Sequence, residues 1–118
     1  MQDFTYTLKK PTRLIQTVNL HDKIQSLEWS SWLDFNQTTI GKVPELEGVY
    51  KLHASMKILF IGSSKKLRQS LNQDLTNPCM NKNSRFSYAI SETSDKIREY
   101  LLDEYRKKHD GKLPLCME

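Results

Sequence analysis

Apolar and polar positions alternate most clearly in the middle of the chain, from Gly48 to His53 and from Lys57 to Ile61. Both runs are rich in β-branched, aromatic and other apolar residues, and the polar stretch His53–Lys57 between them can turn the chain, so the pattern predicts a β-hairpin. Side chains alternate along a strand, which puts Tyr50 and Leu52 on one face and Val49, Lys51 and His53 on the other. Gly62 is expected to break the second strand. Ser63 or Ser64 can then cap a helix whose apolar positions are Leu67 and Leu71, four apart. Further on, Phe86, Tyr88 and Ile90 alternate with Ser87, Ala89 and Ser91, the pattern of a strand with one buried face. Ile97, Leu101 and Tyr105 recur every four residues, with Leu102 widening the stripe, and predict a helix to Lys108. Ser91, Thr93 and Ser94 offer N-caps, Glu92 and Asp95 suit its positive start, and Gly111 and Pro114 end it.

The first third of the chain is patterned more weakly. Phe4–Leu8 alternates like an edge strand that Pro11 stops, and Ile24 and Leu27 fit a short helix within His21–Glu28, with Asn19 as its cap. Trp29, Trp32 and Phe35 are three apart and share a face if that stretch is helical. They either strap this segment onto the sheet or form an exposed aromatic patch for a base or a protein partner. Asn36–Pro44 reads as a polar loop, as does Asn72–Ser84 with its Asn77-Pro78 turn signal. These elements predict one α+β unit: residues 1–45 are an extension packing on a domain formed by residues 46–118.

Composition narrows the function classes. With 118 residues, 37% hydrophobic and 27% charged, the chain can bury a core without metals or disulfides. Cys79 and Cys116 are far apart and lack a C-x-x-C pairing, which argues against a zinc or thiol-redox motif; reduced thiols are expected, with a disulfide as the alternative. Neither a signal peptide nor an apolar run long enough to cross a membrane is visible, so a cytoplasmic location without membrane contact is expected. His21, His53 and His109 have no ligand spacing, no P-loop or nucleophile elbow occurs, and no metal site or cofactor is expected from these patterns. Net charge is +4, from 18 basic and 14 acidic residues. Between Ser64 and Arg85, Lys65, Lys66, Arg68, Lys82 and Arg85 outnumber the single acid Asp74, a balance suited to a phosphate backbone.

The triplet Gly48-Val49-Tyr50, followed by Phe60-Ile61-Gly62 and a Leu67-x-x-Ser70-Leu71 helix, resembles the GIY-YIG nuclease superfamily. The resemblance runs from Trp29-Ser30-Ser31-Trp32 to the tail His109–Cys116, as in the small stand-alone members. It implies a GIY-YIG-like domain with a central three-stranded antiparallel sheet flanked by helices. It also implies a nucleic-acid groove, DNA before RNA. The departures argue against cleavage. Phe60 stands where the family has a tyrosine that assists water attack, and has no hydroxyl to move a proton. Ser63 stands where lysine is common, and Ser70 stands in place of an arginine that stabilises phosphate charge. Arg68 is about 200° round the helix from that position.

The metal-binding glutamate depends on one residue of register. With Leu101, Leu102 and Tyr105 matched to the family's apolar face, Arg98 takes the glutamate's place, and an arginine repels Mg²⁺. Glu99 lies about 100° further round. Tyr50 alone keeps its catalytic-type identity. Three functions follow: a nucleic-acid-binding protein with lost cleavage; a Mg²⁺-dependent endonuclease using Tyr50 and Glu99 in a shifted register, with Arg68 or Arg98 facing the phosphate; or a regulatory module docking a protein through Trp29 and Trp32.

Overall fold

The computed structural model describes residues 22–117; the expected Phe4–Leu8 strand, Pro11 and the Asn19 cap lie outside them. Residues 22–25 are helical. The chain then forms β1 (Leu33–Asp34), α1 (Gln37–Ile40), β2 (Gly48–Ala54), β3 (Lys57–Ser64), α2 (Leu67–Asp74), β4 (Arg85–Ile90), α3 (Ser94–Lys108) and a final 3₁₀ turn, Leu115–Met117. The sheet is antiparallel with the order β1-β4-β2-β3. It therefore has four strands where three were expected. The extra strand is β1, which pairs Leu33 with Phe86 and Asp34 with Arg85.

Residues 29–35 run extended and not as a helix, because their backbone finds partners on β4: Ser30 N–H donates to Tyr88 O (2.8 Å) and Phe35 N–H to Ser84 O (3.1 Å). The polar loop expected at Asn36–Pro44 contains α1, capped by the Asn36 side chain accepting from Thr39 N–H (2.8 Å). Ile40 and Val43 are buried.

The hairpin turns through Ser55 and Met56, both at positive φ (52° and 65°), as the two-residue turn that matches strand twist requires. Gly62 does not end β3: Ser63 and Ser64 continue the pairing, opposite Val49 and Gly48. The register jumps from Leu52↔Phe60 to His53↔Ile58, a bulge that leaves Leu59 without an opposite residue. Leu59 accordingly joins the cluster that holds Leu52.

Helices cover both faces of the sheet. On the first, Tyr50, Leu52 and Phe86 pack with Leu67 and Leu71 of α2 and with Phe35, Ile40 and Val43. On the second, Val49 and Ala89 pack with Ile97 of α3, and Ile24, Leu27, Trp29 and Leu101 close the edges. The alternation expected for β2 thus holds. Gly48 permits this tight packing: a Cβ there would stand 2.3 Å from Ala89 O and 2.7 Å from a Leu67 methyl.

Cys79 and Cys116 form a disulfide, against the expectation of reduced thiols. The bond ties the loop after α2 to the C-terminal turn, closing a separation of 37 residues that no local spacing reveals.

Candidate functional site

The starts of both long helices converge on the segment Glu45–Glu47. Neither helix is capped by its own flanking side chain. Instead, Glu45 Oε1 accepts from Gln69 N–H (3.2 Å) at the start of α2, and Leu46 O accepts from Leu67 N–H (3.0 Å). Glu47 Oε2 accepts from Ser94 N–H (3.3 Å) and Ser94 Oγ (2.7 Å) at the start of α3, and from Lys65 Nζ (3.1 Å). The hydrogen bond from Ser94 holds the Glu47 carboxyl below its ordinary pKa, despite some opposing burial. Sequence reasoning missed both glutamates. Carboxylates at helix starts are a familiar pattern, but these two come from a distant segment.

Tyr50 lies beside this segment, 3% exposed. Its ring lies over Gly62, where a Cβ would stand 2.9 Å from Tyr50 Cζ, 3.0 Å from its Oη and 2.5 Å from the Phe60 ring. Glycine leaves the space that lets the phenol reach the outer strand. Tyr50 Oη donates to Asp74 Oδ2, at the end of α2, at 2.5 Å. Burial, the Asp74 charge and this hydrogen bond together raise the Tyr50 pKa far above its ordinary value, while the positive charge of Arg98 opposes the rise. Burial also raises Asp74, and the hydrogen bond from Tyr50 offsets part of that. A phenol held so firmly in its protonated form is a donor and a poor base.

The other expected residues surround this centre unevenly. Phe60 packs its ring on Tyr50 at 5.7 Å between centroids. Ser63 Oγ donates to Asp95 Oδ1 (2.7 Å), and the hydroxyls of Ser64 and Ser70 share a hydrogen bond of 2.5 Å. Arg98 is half-buried; its Nε is buried and has no hydrogen-bond partner. Glu99 is exposed on α3. Among the described residues, no group of three or more His, Cys, Asp or Glu side chains is placed to hold a metal ion.

The five expected phosphate contacts are not one patch. Lys65 is engaged by Glu47, Arg85 Nε pairs with Asp34 (3.5 Å), and Arg68 Nε donates to Val43 O (2.9 Å). Lys66 and Lys82 are exposed and carry no ion pair. Lys65 and Lys66 follow Ser64, which pairs with Gly48, whereas Arg85 pairs with His53. Five residues of extended strand put those two ends about 17 Å apart.

The two tryptophans also part company. Trp29 packs against the second-face cluster, with Lys51 Nζ 4.1 Å above its ring. Burial lowers the Lys51 pKa. Trp32 is 40% exposed and meets the His53 ring edge-on at 4.0 Å.

Residues 26–108 match DUF7508, a domain of unknown function. The chain belongs to the DUF7508 family. The match begins before Trp29 and ends with α3, so it takes in the sheet, the Glu45–Glu47 segment and the Tyr50–Asp74 pair. No curated protein matches the chain. In DUF7508 terms, Cys116 and the 3₁₀ turn lie beyond the matched residues, while Cys79 lies within them. No helix among the described residues is long and apolar enough to cross a membrane.

Proposed function

We propose that this chain is a GIY-YIG-like domain that binds nucleic acid, DNA before RNA, without hydrolysing it. The observation that carries the reading is the environment of Tyr50: its proton is committed to Asp74, and the charged group that acts on it from α3 is the guanidinium of Arg98. Hydrolysis by the scheme the resemblance implies needs a phenol that can take or steer a proton and a carboxylate to hold Mg²⁺. Tyr50 is a donor, and Glu99 sits one position further round α3, exposed to solvent. Binding is supported by the basic excess of the chain and by Lys66, Lys82 and Arg98, which no ion pair engages among the described residues. Lys65, Arg68 and Arg85 are drawn in as secondary contacts, each giving up an internal partner.

The test is to incubate the protein with labelled duplex, branched and single-stranded DNA and RNA, with Mg²⁺ or Mn²⁺, at low and moderate salt. Retention of duplex without product is expected. Cleavage that Glu99→Ala abolishes would restore the endonuclease reading.

A second reading, docking of a protein partner, draws on Trp32, 40% exposed, and on the hairpin tip, where Met56 is 96% exposed. Trp32→Ala separates the two, because the nucleic-acid reading expects unchanged duplex affinity.

A further inference from the structure

Arg98 stands apart from the other arginines of the described chain. Arg68 donates to Val43 O, Arg85 pairs with Asp34, and Arg106 Nε donates to Gly111 O (3.3 Å). Among the described residues no ion pair engages Arg98, which is half-buried, and its Nε is shielded from water with no hydrogen-bond partner. Leaving a charged donor unmatched in such a place is costly, and the cost is recovered when an anion supplies the acceptors.

The position of Arg98 shows what kind of anion. It lies on the first turns of α3, one residue after Ile97, which anchors the helix on the second face of the sheet. The helix start is pinned at the end of β3 by Ser63 to Asp95 and by Ser94 to Glu47. β3 is the outer strand, and the Tyr50 phenol crosses Gly62 to reach it from the other face. α3 packs on β3, and the Arg98 charge acts on the Tyr50 phenol that lies over Gly62 of that strand. Of the neighbouring acids, Asp74 accepts from Tyr50, Asp95 from Ser63 and Glu47 from Ser94 and Lys65, while Glu99, the next residue on α3, is exposed to solvent.

We infer that Arg98 is the anchor of a phosphate site at the β3 edge, in which its guanidinium takes a backbone phosphodiester without a divalent cation. The inference rests on the nucleic-acid reading and adds the contact residue and its independence of metal. A planar guanidinium suits phosphate oxygens through paired N–H donors, which a lysine does not reproduce. Arg98 thus supplies the positive charge that a bound cation would otherwise bring.

Two measurements on the whole protein test this, both in EDTA. In the first, a labelled 20-base-pair duplex is titrated with wild type, Arg98→Gln and Arg98→Lys over a salt series. Wild type binds without added metal, Arg98→Gln weakens binding at least about fivefold, and the log–log salt slope becomes shallower by about 0.9, as loss of one phosphate contact requires. Arg98→Lys restores the slope and only part of the affinity.

In the second, inorganic phosphate is titrated against ¹⁵N-arginine-labelled wild type, and the Arg98 Nε–H signal, assigned by its absence from Arg98→Lys, is followed. A saturable shift supports the site even if Arg98→Gln fails to fold. Equal duplex affinity in wild type and Arg98→Gln, or duplex binding that needs Mg²⁺, overturns the inference and leaves the nucleic-acid reading standing. A phosphate shift without any duplex binding keeps the anion site and removes nucleic acid as its ligand. Neither shift nor duplex binding removes both.

Discussion

Glu47 and Asp74 are carboxylates on either side of the same strand pair, and the fold treats them oppositely. Glu47 receives three donors, from Ser94 twice and Lys65 once, and its pKa is held down. Asp74 receives one, from Tyr50, and burial pushes it up. Around Glu47, Ser94 and Lys65 supply the donors, and the Glu45–Glu47 segment ties both helix starts. Asp74 has Tyr50 as its one side-chain donor, and the Arg98 guanidinium, whose charge acts on that phenol, has a buried Nε with no hydrogen-bond partner. The first cluster holds its carboxylate with internal donors and serves the fold, although Thr93 Oγ1 beside it is buried without a partner. The second leaves a buried cationic donor unmatched, the feature on which the proposed phosphate site rests.

The sharpest way to break the contrast is to remove the space that makes the second cluster. Gly62→Ala puts a Cβ 2.5 Å from the Phe60 ring and 2.9 Å from Tyr50 Cζ. Overpacking of this kind costs about 1–3 kcal/mol, read as a lower urea midpoint with an unchanged slope. Glu47→Ala is expected next, at about 1–2 kcal/mol, since it uncaps α3.

The pH dependence carries a sign that separates the two acids. Glu47 has a folded pKa below its ordinary 4.5, so its stabilisation is present above that value and is lost as pH falls through the lowered one. Thermal melts from pH 6 down to about 3 should show a shallower acid loss in Glu47→Gln than in wild type. Asp74 has a raised folded pKa, so its contribution is greatest below its ordinary value and is lost as pH rises. Asp74→Asn keeps an acceptor for Tyr50 and drops the buried charge; at pH 7 the stability change should lie within about 0.5 kcal/mol, toward greater stability. A loss comparable to that of Glu47→Ala would mean that the Asp74 charge is itself well compensated, and the contrast would collapse.

The hairpin, the two faces of β2, and the presence of β4 and α3 could be read from the sequence because each rests on a local period; β4 was expected to bury one face, but Ser87 and Ala89 on the other face are buried under the second-face helix and Ile90 is 45% exposed. What could not be read depends on partners far along the chain. The i, i+3 spacing of Trp29, Trp32 and Phe35 suggested a helix, but hydrogen bonds to Tyr88 and Ser84 draw that stretch out straight. Gly62 looked like a stop, and the pairing of Ser63 and Ser64 with Val49 and Gly48 carries the strand through it. Local serines and a threonine looked like caps, yet Glu45 and Glu47 supply the acceptors.

The same limit applied to the site. Tyr50 was legible from its triplet, and Arg98 from the apolar face of α3. Asp74, 24 residues from Tyr50, was seen only as the lone acid among five cations. That the cations are divided between internal partners and opposite ends of the sheet follows from strand register, which composition does not contain.

On the proposed function, the chain grips a phosphate backbone at a small set of cations and does not cut it. The most direct test of this is the affinity for one labelled duplex across a salt series in EDTA and again in Mg²⁺, with the DNA recovered and sized afterwards. Contacts from Lys66, Lys82 and Arg98 predict a slope of about −3 in log affinity against log salt in EDTA, with intact DNA under both conditions. A flat salt response, or shortened DNA in Mg²⁺, would contradict it.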